Sequence, residues 1–285
     1  MNEKQNMKSL KELNLTDRFL FDEVMEDIET HHDIWSIIFG RDIPLLEKSE
    51  TEKEFRLSPL IRSIRMDIFS IDENQTVYNT EMQAQRRSDL AKRSRYYQPL
   101  LDTSLLEPGI PDYNLLNLSY IIVIMTFDYF GYGKYLYTFE PRCLEVPECP
   151  LEDGATRIFL NTEGKDDTGV SEELIDFLNY IKNSTDETAA ASGSERIHRI
   201  HNRVCKVRTS EKVGVRYMQA WEEKYYERQE NLKEGLQKGR KLQLSEQVQK
   251  KLAKNKTPEE IADALEESVE TIQKMIQEIS KEADW

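Results

Sequence analysis

Two carboxylic acids and an amide lie close together in one short stretch of the chain, IRMDIFSIDENQTVYNTEMQAQ at 64–85. Runs rich in Ile, Phe, Val, Tyr and Thr flank the polar turn signal DENQ at 72–75, and this pattern predicts a β-hairpin. Asp67 falls on the first strand, and Glu81 and Gln83 fall on the second. Because side chains alternate between the two faces of a strand, Glu81 and Gln83 point the same way.

The length of the turn decides whether Asp67 joins them. A loop of two or four residues pairs Asp67 with Thr80 and sends Glu81 to the opposite face. A loop of three or five residues pairs residues whose numbers add up to an even value, and Asp67, Glu81 and Gln83 then share one face. In that register two carboxylates and an amide converge. Oxygen ligands of this kind suit Mg²⁺, which takes one or two carboxylates together with water and substrate phosphates.

The hairpin belongs to a series of motifs that follow one another along about two thirds of the chain. They are TDRFLFDEVM at 16–25, IRMDIF at 64–69, VYNTEMQ at 77–83, KRSRYYQPLLD at 92–102, YIIVIMTFDYFG at 120–131, YTFEPRCLE at 137–145 and LEDGATRIFLNTEGK at 151–165. Taken together, they resemble the PD-(D/E)XK nuclease superfamily, and within it the family of recombination-promoting nucleases (Rpn) and putative transposases.

The resemblance implies an α/β fold of the restriction-endonuclease type, with a mixed central sheet flanked by helices. It implies that Asp67 and Glu81 bind Mg²⁺ or Mn²⁺, which activates a water molecule and the scissile phosphate. Gln83 stands where the superfamily usually has lysine, and the resembled branch also carries glutamine at this place. It carries no charge and cannot act as a general base, so its expected role is to position the water by hydrogen bonding.

The first predicted helix offers a further acid. Thr16 is a suitable N-cap, and an apolar stripe follows it. Asp17 matches an aspartate of the resembled motif, which implies a fourth catalytic residue, whereas Asp22 occupies a place where lysine is expected. The alternative is that Asp17 only interacts favourably with the dipole of the helix.

The formal net charge of −14 disfavours nonspecific binding to DNA, but basic residues are concentrated in two places. Residues 86–97 carry five basic side chains and one acid directly after the presumed active-site strand. Arg86, Arg93 and Arg95 are candidates for phosphate contacts there, and Tyr97 is a candidate for stacking or hydrogen bonding. For the second basic segment, at 196–216, a solvated helix face is the favoured interpretation.

No run of 18 apolar residues occurs, and the polar N-terminal segment is unlike a secretory signal. The odd number of cysteines, Cys143, Cys149 and Cys205, is typical of a reducing compartment. We therefore expect a cytoplasmic protein without a membrane partner. His198, His201 and Cys205 share one helix face, but no fourth ligand is evident nearby, so the sequence disfavours a zinc site.

The small, polar segment at 183–195 predicts a linker, which divides the chain into a nuclease-like domain at 1–185 and an all-α C-terminal region at 186–285. The C-terminal region is expected to contain one long helix and a helical hairpin, whose two helices begin after the N-caps Thr257 and Ser268. The second hairpin helix lacks the basic residues of a DNA-recognition helix. Self-association into a homodimer is therefore the favoured role of the hairpin.

These features predict a divalent-metal-dependent DNA endonuclease with a role in recombination, transposon-like mobility or defence. The metal would be Mg²⁺ or Mn²⁺ and the partner DNA. The alternative is a nuclease-like fold that no longer cuts and that binds DNA or a protein. The retained acids Asp67 and Glu81 argue for the enzyme, whereas Gln83, Asp22 and the acidic balance of the chain argue for the binding module.

Overall fold

The computed structural model describes residues 7–55, 64–106, 109 and 111–283. The chain divides into two compact units, Met1–Tyr217 and Met218–Trp285. The expected linker at 183–195 lies inside the first unit, where it forms a short helix and the start of the next. By this division the boundary falls further along the chain than the one expected between residues 185 and 186.

The first unit contains a mixed sheet of six strands, counted over the described residues, in the order β1-β2-β3-β4-β6-β5. The strands are β1 (Leu46–Phe55), β2 (Ile64–Asp72), β3 (Val77–Gln83), β4 (Ser119–Met125), β5 (Leu136–Phe139) and β6 (Ala155–Asn161). The central strands β3, β4 and β6 run parallel to one another. Strands β2 and β5 pair antiparallel with β3 and β6, and β1 pairs antiparallel with β2. The apolar segment LSYIIVIMTFDYF at 118–130 predicts a buried strand, and its residues 119–125 form the buried β4, whereas the residues from Thr126 onward lie outside the strand.

Helices cover both faces of this sheet. The helices of the first unit are α1 (Arg18–Met25), α2 (Ile28–Phe39), α3 (Leu90–Leu105), α4 (Glu172–Lys182), α5 (Asp186–Ala191) and α6 (Glu195–Thr209). Residues of α1, α2, α4 and α6 form one core with Ile68, Met82 and Ile122 of the sheet. On the other face, α3 packs through Tyr97 and Leu101 on residues of β2, β3 and β4. The prediction of an α/β fold with a mixed, helix-flanked sheet is therefore confirmed.

The second basic segment serves the fold. All five of its arginines bind carboxylates or backbone carbonyls of the helices and loops packed around α6. They are Arg196, Arg199, Arg203, Arg208 and Arg216. These side chains fasten α6 and the residues after it to the rest of the first unit, which leaves them engaged within the protein.

A long helix, α7 (Glu211–Leu252), begins in the first unit and continues into the second. In the second unit α8 (Pro258–Leu265) and α9 (Val269–Ala283) pack on it around Val248, Ile261 and Ile272. A capping box at Thr257 starts α8, as its sequence predicts. Among the helices that the structure describes, none is both long enough and apolar enough to cross a bilayer.

Candidate active site

The register of the β2–β3 hairpin brings the predicted acids to one face. Ile68 pairs with Thr80 and Ile71 with Val77, so the paired residue numbers add up to an even value. Continuing this register places Asp67 opposite Glu81. Opposite residues of an antiparallel pair point to the same side of the sheet, and Gln83 follows Glu81 by two residues on that side. Of the two registers that the sequence allowed, the structure has the one that assembles the site.

The carboxylate of Asp72 holds the turn that sets this register. Its Oδ1 accepts hydrogen bonds from the backbone amides of Asn74 at 3.0 Å and Thr76 at 2.8 Å. Its Oδ2 accepts one from the hydroxyl of Tyr78 at 2.8 Å. Between the paired residues Asp72 and Thr76 the chain turns through a three-residue loop, whose last residue, Gln75, has φ of 62°.

Both acids of the site are buried, Asp67 with 4% and Glu81 with 2% of its surface exposed. Each is bound to an arginine from a different helix. Arg18 Nη2, at the start of α1, lies 2.6 Å from Asp67 Oδ1, and Arg93 Nη2, in α3, lies 3.0 Å from Glu81 Oε2. The backbone amide of Met82 donates a further bond to Asp67 Oδ2 at 3.2 Å. Each buried carboxylate thus has a guanidinium beside it, and Arg18 also pairs with Asp22 at 3.5 Å.

Burial raises the pKa of Glu81 to about 7, although the charge of Arg93 lowers it, and the neighbouring charge of Asp67 raises it further. The Tyr97 hydroxyl also hydrogen-bonds to Glu81 and favours the ionised form. A carboxyl whose pKa lies near neutrality, beside a second acid, is typical of functional sites, because two close acids resist ionising together. The ionised pair would be stabilised by any added positive charge.

Gln83 lies at the carboxyl end of β3 beside these groups and is partly exposed. Its Oε1 accepts from Arg93 Nη1 at 3.4 Å, and its Nε2 donates to the backbone carbonyl of Gln85 at 2.8 Å. The amide therefore stands next to Glu81 with one side toward solvent. From there it can donate to or accept from a water molecule but cannot take up a proton.

The predicted DNA contacts take different places around the site. Arg93 is turned inward to Glu81, and the ring of Tyr97 is buried, with its hydroxyl bonded to Glu81 and Arg93. In this conformation Tyr97 supports Glu81 and does not offer a face for base stacking. Arg86 and Arg95 are exposed, and the guanidinium of Arg86 lies 5.9 Å from the ring centre of Phe127.

Asp17 is the N-cap of α1, where its carboxylate accepts from the backbone amide of Phe19 at 3.0 Å. Burial and the nearby charge of Asp17 raise the pKa of Tyr217, which lies in α7. Thr16 is therefore the residue before the N-cap and not the N-cap itself. Arg18, which follows Asp17, is the residue that reaches Asp67. Of the four predicted catalytic residues, the structure brings together Asp67, Glu81 and Gln83.

The donor set of the site fits a hard divalent cation such as Mg²⁺ or Mn²⁺. Two carboxylates approach from neighbouring strands, and Mg²⁺ is commonly bound by one or two carboxylates of a protein. On the same face, two residues before Glu81, the buried side-chain oxygen of Asn79 has no hydrogen-bond partner among the described residues. Because Arg18 and Arg93 contact the carboxylate oxygens, a cation would compete with these two arginines.

Sequence reasoning missed Arg18 and the supporting role of Tyr97. Both residues lie inside motifs that the sequence singled out, TDRFLFDEVM and KRSRYYQPLLD. Their helical positions show that they lie near the helix start or on an apolar face, but not that they meet a carboxylate across the sheet. The signal that could have found them is the need of two buried acids for compensating charge.

Comparison of the chain with models of protein families, with curated proteins and with solved structures found no match.

Proposed function

We propose that this protein is a divalent-metal-dependent endonuclease that hydrolyses DNA, with Asp67 and Glu81 as its metal ligands. The observation that carries the proposal is the register of the hairpin, which sets two buried carboxylates face to face beside a partly exposed amide. The resemblance of the motifs to PD-(D/E)XK nucleases supports the same reaction. It also supports a role in recombination, transposon-like mobility or defence.

When bound, Mg²⁺ would polarise the scissile phosphate, lower the pKa of a water molecule and stabilise the leaving oxygen. The side chains divide the remaining tasks. Asp67 and Glu81 hold the cation, and Tyr97 keeps the Glu81 carboxylate oriented through its hydroxyl. Gln83 orients the attacking water by a hydrogen bond, since an amide offers a donor and an acceptor but no base.

The arginines at the site supply the grip on the DNA backbone. The side chain of Arg93 is 30% exposed, so its guanidinium stands between the buried Glu81 and solvent. Guanidinium groups bind phosphate oxygens in a bidentate manner, and this makes Arg93 suited to exchange a carboxylate for a phosphate. Arg86 and Arg95 extend this positive surface along the loop before α3 and along α3 itself.

A second candidate function is a binding module that does not cut. It is favoured by the ion pairs that already neutralise Asp67 and Glu81, and by the presence of an amide at Gln83. In such a protein the acids would serve only to hold α1 and α3 on the sheet. DNA would then bind through Arg86 and Arg95 without a requirement for a divalent cation.

Nicking of supercoiled plasmid in Mg²⁺ or Mn²⁺ at low salt distinguishes the two functions. The informative variants are Asp67→Asn and Glu81→Gln, which keep the shape of each side chain and remove its charge. Glu73→Gln is the matched control, because Glu73 is an exposed acid in the turn of the same hairpin. The nuclease predicts cleavage by the wild type and by the control, and loss of cleavage, by roughly 100-fold or more, in both site variants.

Binding of Mn²⁺ is measured by the loss of the electron paramagnetic resonance signal of the free ion. This measurement distinguishes a protein that binds the metal without cleaving DNA from one that does not bind the metal. Metal binding without cleavage would keep the site and remove the proposed reaction. Plasmid retardation on a gel without either metal binding or cleavage would establish the binding module instead. Cleavage that persists in both site variants would show that Asp67 and Glu81 do not form the active site.

A further inference from the structure

A second group of potential metal ligands lies outside the candidate active site, where α5 meets α6. The carboxylate of Asp186, the imidazole of His201 and the thiol of Cys205 place one ligand atom each within 4.8 Å of the others. We propose that these three side chains form a zinc site. This site is independent of the proposed nuclease function, because it shares no residue with the β2–β3 hairpin.

The geometry follows from the packing of α5 on the next helix of the chain, α6. His201 and Cys205 are four residues apart on α6, so they lie one turn apart on the same helix face. Asp186 is the first residue of α5, and its Oδ1 lies 3.0 Å from His201 Nε2. Cys205 Sγ lies 3.5 Å from the same nitrogen. One nitrogen, one oxygen and one sulfur thus face a common point.

The other ring nitrogen of His201 is held by the fold. Its Nδ1 lies 2.9 Å from the hydroxyl of Tyr180, which is fully buried in α4. With the hydrogen on Nδ1, the ring donates to this hydroxyl and directs the lone pair of Nε2 toward Asp186 and Cys205. Metal-binding histidines are commonly oriented in this way by a bond from their second nitrogen.

The types of ligand select the cation. A thiolate and an imidazole suit Zn²⁺ and are poor ligands for Mg²⁺ and Ca²⁺, which prefer oxygen. Binding deprotonates the Cys205 thiol, whose proton passes to solvent. Three protein ligands leave a fourth position of a tetrahedral ion for water, and Asp186, with 89% of its side chain exposed, lies at the open side.

A zinc ion here would join the segment at 183–195 to α6. That segment is small and polar in sequence, and its helix α5 is six residues long, too short to be stable alone. The sequence placed a different triad, His198, His201 and Cys205, on one helix face and disfavoured zinc there, because no fourth ligand was evident nearby. Asp186 could not be recognised as a ligand, since only the packing of α5 on α6 brings it to His201.

The test is a titration of the full-length protein, freed of metal by a chelator, with Zn²⁺ in competition with a chromophoric chelator. We expect one equivalent of Zn²⁺ to bind. Loss of an orienting group alone weakens metal sites by about 10–100-fold, so Asp186→Asn and Cys205→Ser should each weaken binding by more than about tenfold. Glu187→Gln is the matched control, because Glu187 is the adjacent exposed acid of α5 and should leave the affinity unchanged.

Co²⁺ provides a readout of the sulfur ligand. The Co²⁺-loaded protein should show an intense thiolate-to-metal charge-transfer band that Cys205→Ser abolishes and that Cys143→Ser/Cys149→Ser retains. Retention of the band in Cys205→Ser, or its loss in the double variant, would assign the metal to the other cysteines and overturn the site. Failure to bind Zn²⁺, or equal binding by wild type and Asp186→Asn, would overturn it as well.

Discussion

Replacing Asp72 with alanine tests the link between the turn of the hairpin and the assembly of the site. Asp72 is fully buried, and its carboxylate accepts hydrogen bonds from two backbone amides and from the hydroxyl of Tyr78. These bonds close the three-residue loop that sets Asp67 opposite Glu81. Alanine removes all three acceptor contacts and leaves three donors near the turn without their partner.

The size of the effect follows from these contacts. A hydrogen bond to a charged group contributes about 1.5–3 kcal/mol. The three bonds share one carboxylate and are not additive, and alanine also relieves the cost of burying that charge. We therefore expect Asp72→Ala to lower the free energy of unfolding by about 3–5 kcal/mol. Asp72→Asn keeps an acceptor for both amides and offers its NH₂ group to the oxygen of Tyr78, so it should lose only about 1–2 kcal/mol.

Equilibrium unfolding in urea measures both losses, and hydrogen exchange locates them. Amides of β2 and β3 should lose protection in Asp72→Ala, whereas amides of α8 and α9, which belong to the second unit, should not. A loss of less than about 1 kcal/mol in Asp72→Ala, or equal losses in the two variants, would refute the reasoning. In that case the apolar packing of the strands, and not the turn, would set the register.

Three further predictions concern His31, Glu81 and Gly164. Burial, with the charge of His32, lowers the pKa of His31 to about 3 from 6.5. The folded protein therefore resists the proton that the unfolded chain takes up, and stability falls as pH drops below about 6.5. Relative to His31→Gln, the wild type should lose about 1 kcal/mol more between pH 7.5 and 5.5 in urea unfolding. Burial raises the pKa of Glu81 from 4.5 to about 7, so the stability of the protein in EDTA falls as pH rises through this range. Glu81→Gln should therefore stabilise the protein by about 1–3 kcal/mol at pH 8. Identical profiles of stability against pH for the wild type and this variant would contradict the prediction. At Gly164 an added Cβ would clash with the ring of Tyr135. Gly164→Ala should therefore lower the thermal midpoint by several degrees and cost about 1–3 kcal/mol, with a smaller loss in a Tyr135→Ala background.

Much of the framework could be predicted from local sequence signals. The alternation along 64–85 predicted the hairpin, the apolar segment at 118–130 predicted a buried strand, and the N-cap Thr257 predicted the start of α8. Each of these depends on neighbours in the chain. The register was left open because it depends on how the residues after Asp72 close the turn, and neither a two-residue nor a three-residue loop is excluded by DENQ alone.

The partners of the site could not be predicted, because they are contacts between distant segments. Arg18 and Arg93 lie on different helices that approach the hairpin from separate layers. Asp186 and His201 are brought together by the packing of α5 on α6. Arg93 was expected to face DNA since it lies in a basic stretch, but burial of Glu81 requires a nearby cation, and this requirement is visible only when the strands and α3 are in place.

The pairing of each buried acid with an arginine has a consequence for the proposed nuclease. Two carboxylates that face each other in a buried site repel, and the fold offsets this repulsion with two guanidinium groups. A divalent cation brings the same charge to the same oxygens, so its binding would free the guanidinium of Arg93 for another anion, whereas Arg18 would keep its ion pair with Asp22. The phosphates of bound DNA are such anions, and arginine binds them in the same bidentate manner as carboxylates. The cation would replace the arginine at the carboxylate, and the phosphate of DNA would replace the carboxylate at the arginine. The binding of each ligand would thus favour the binding of the other, since coupling between two ligands is reciprocal.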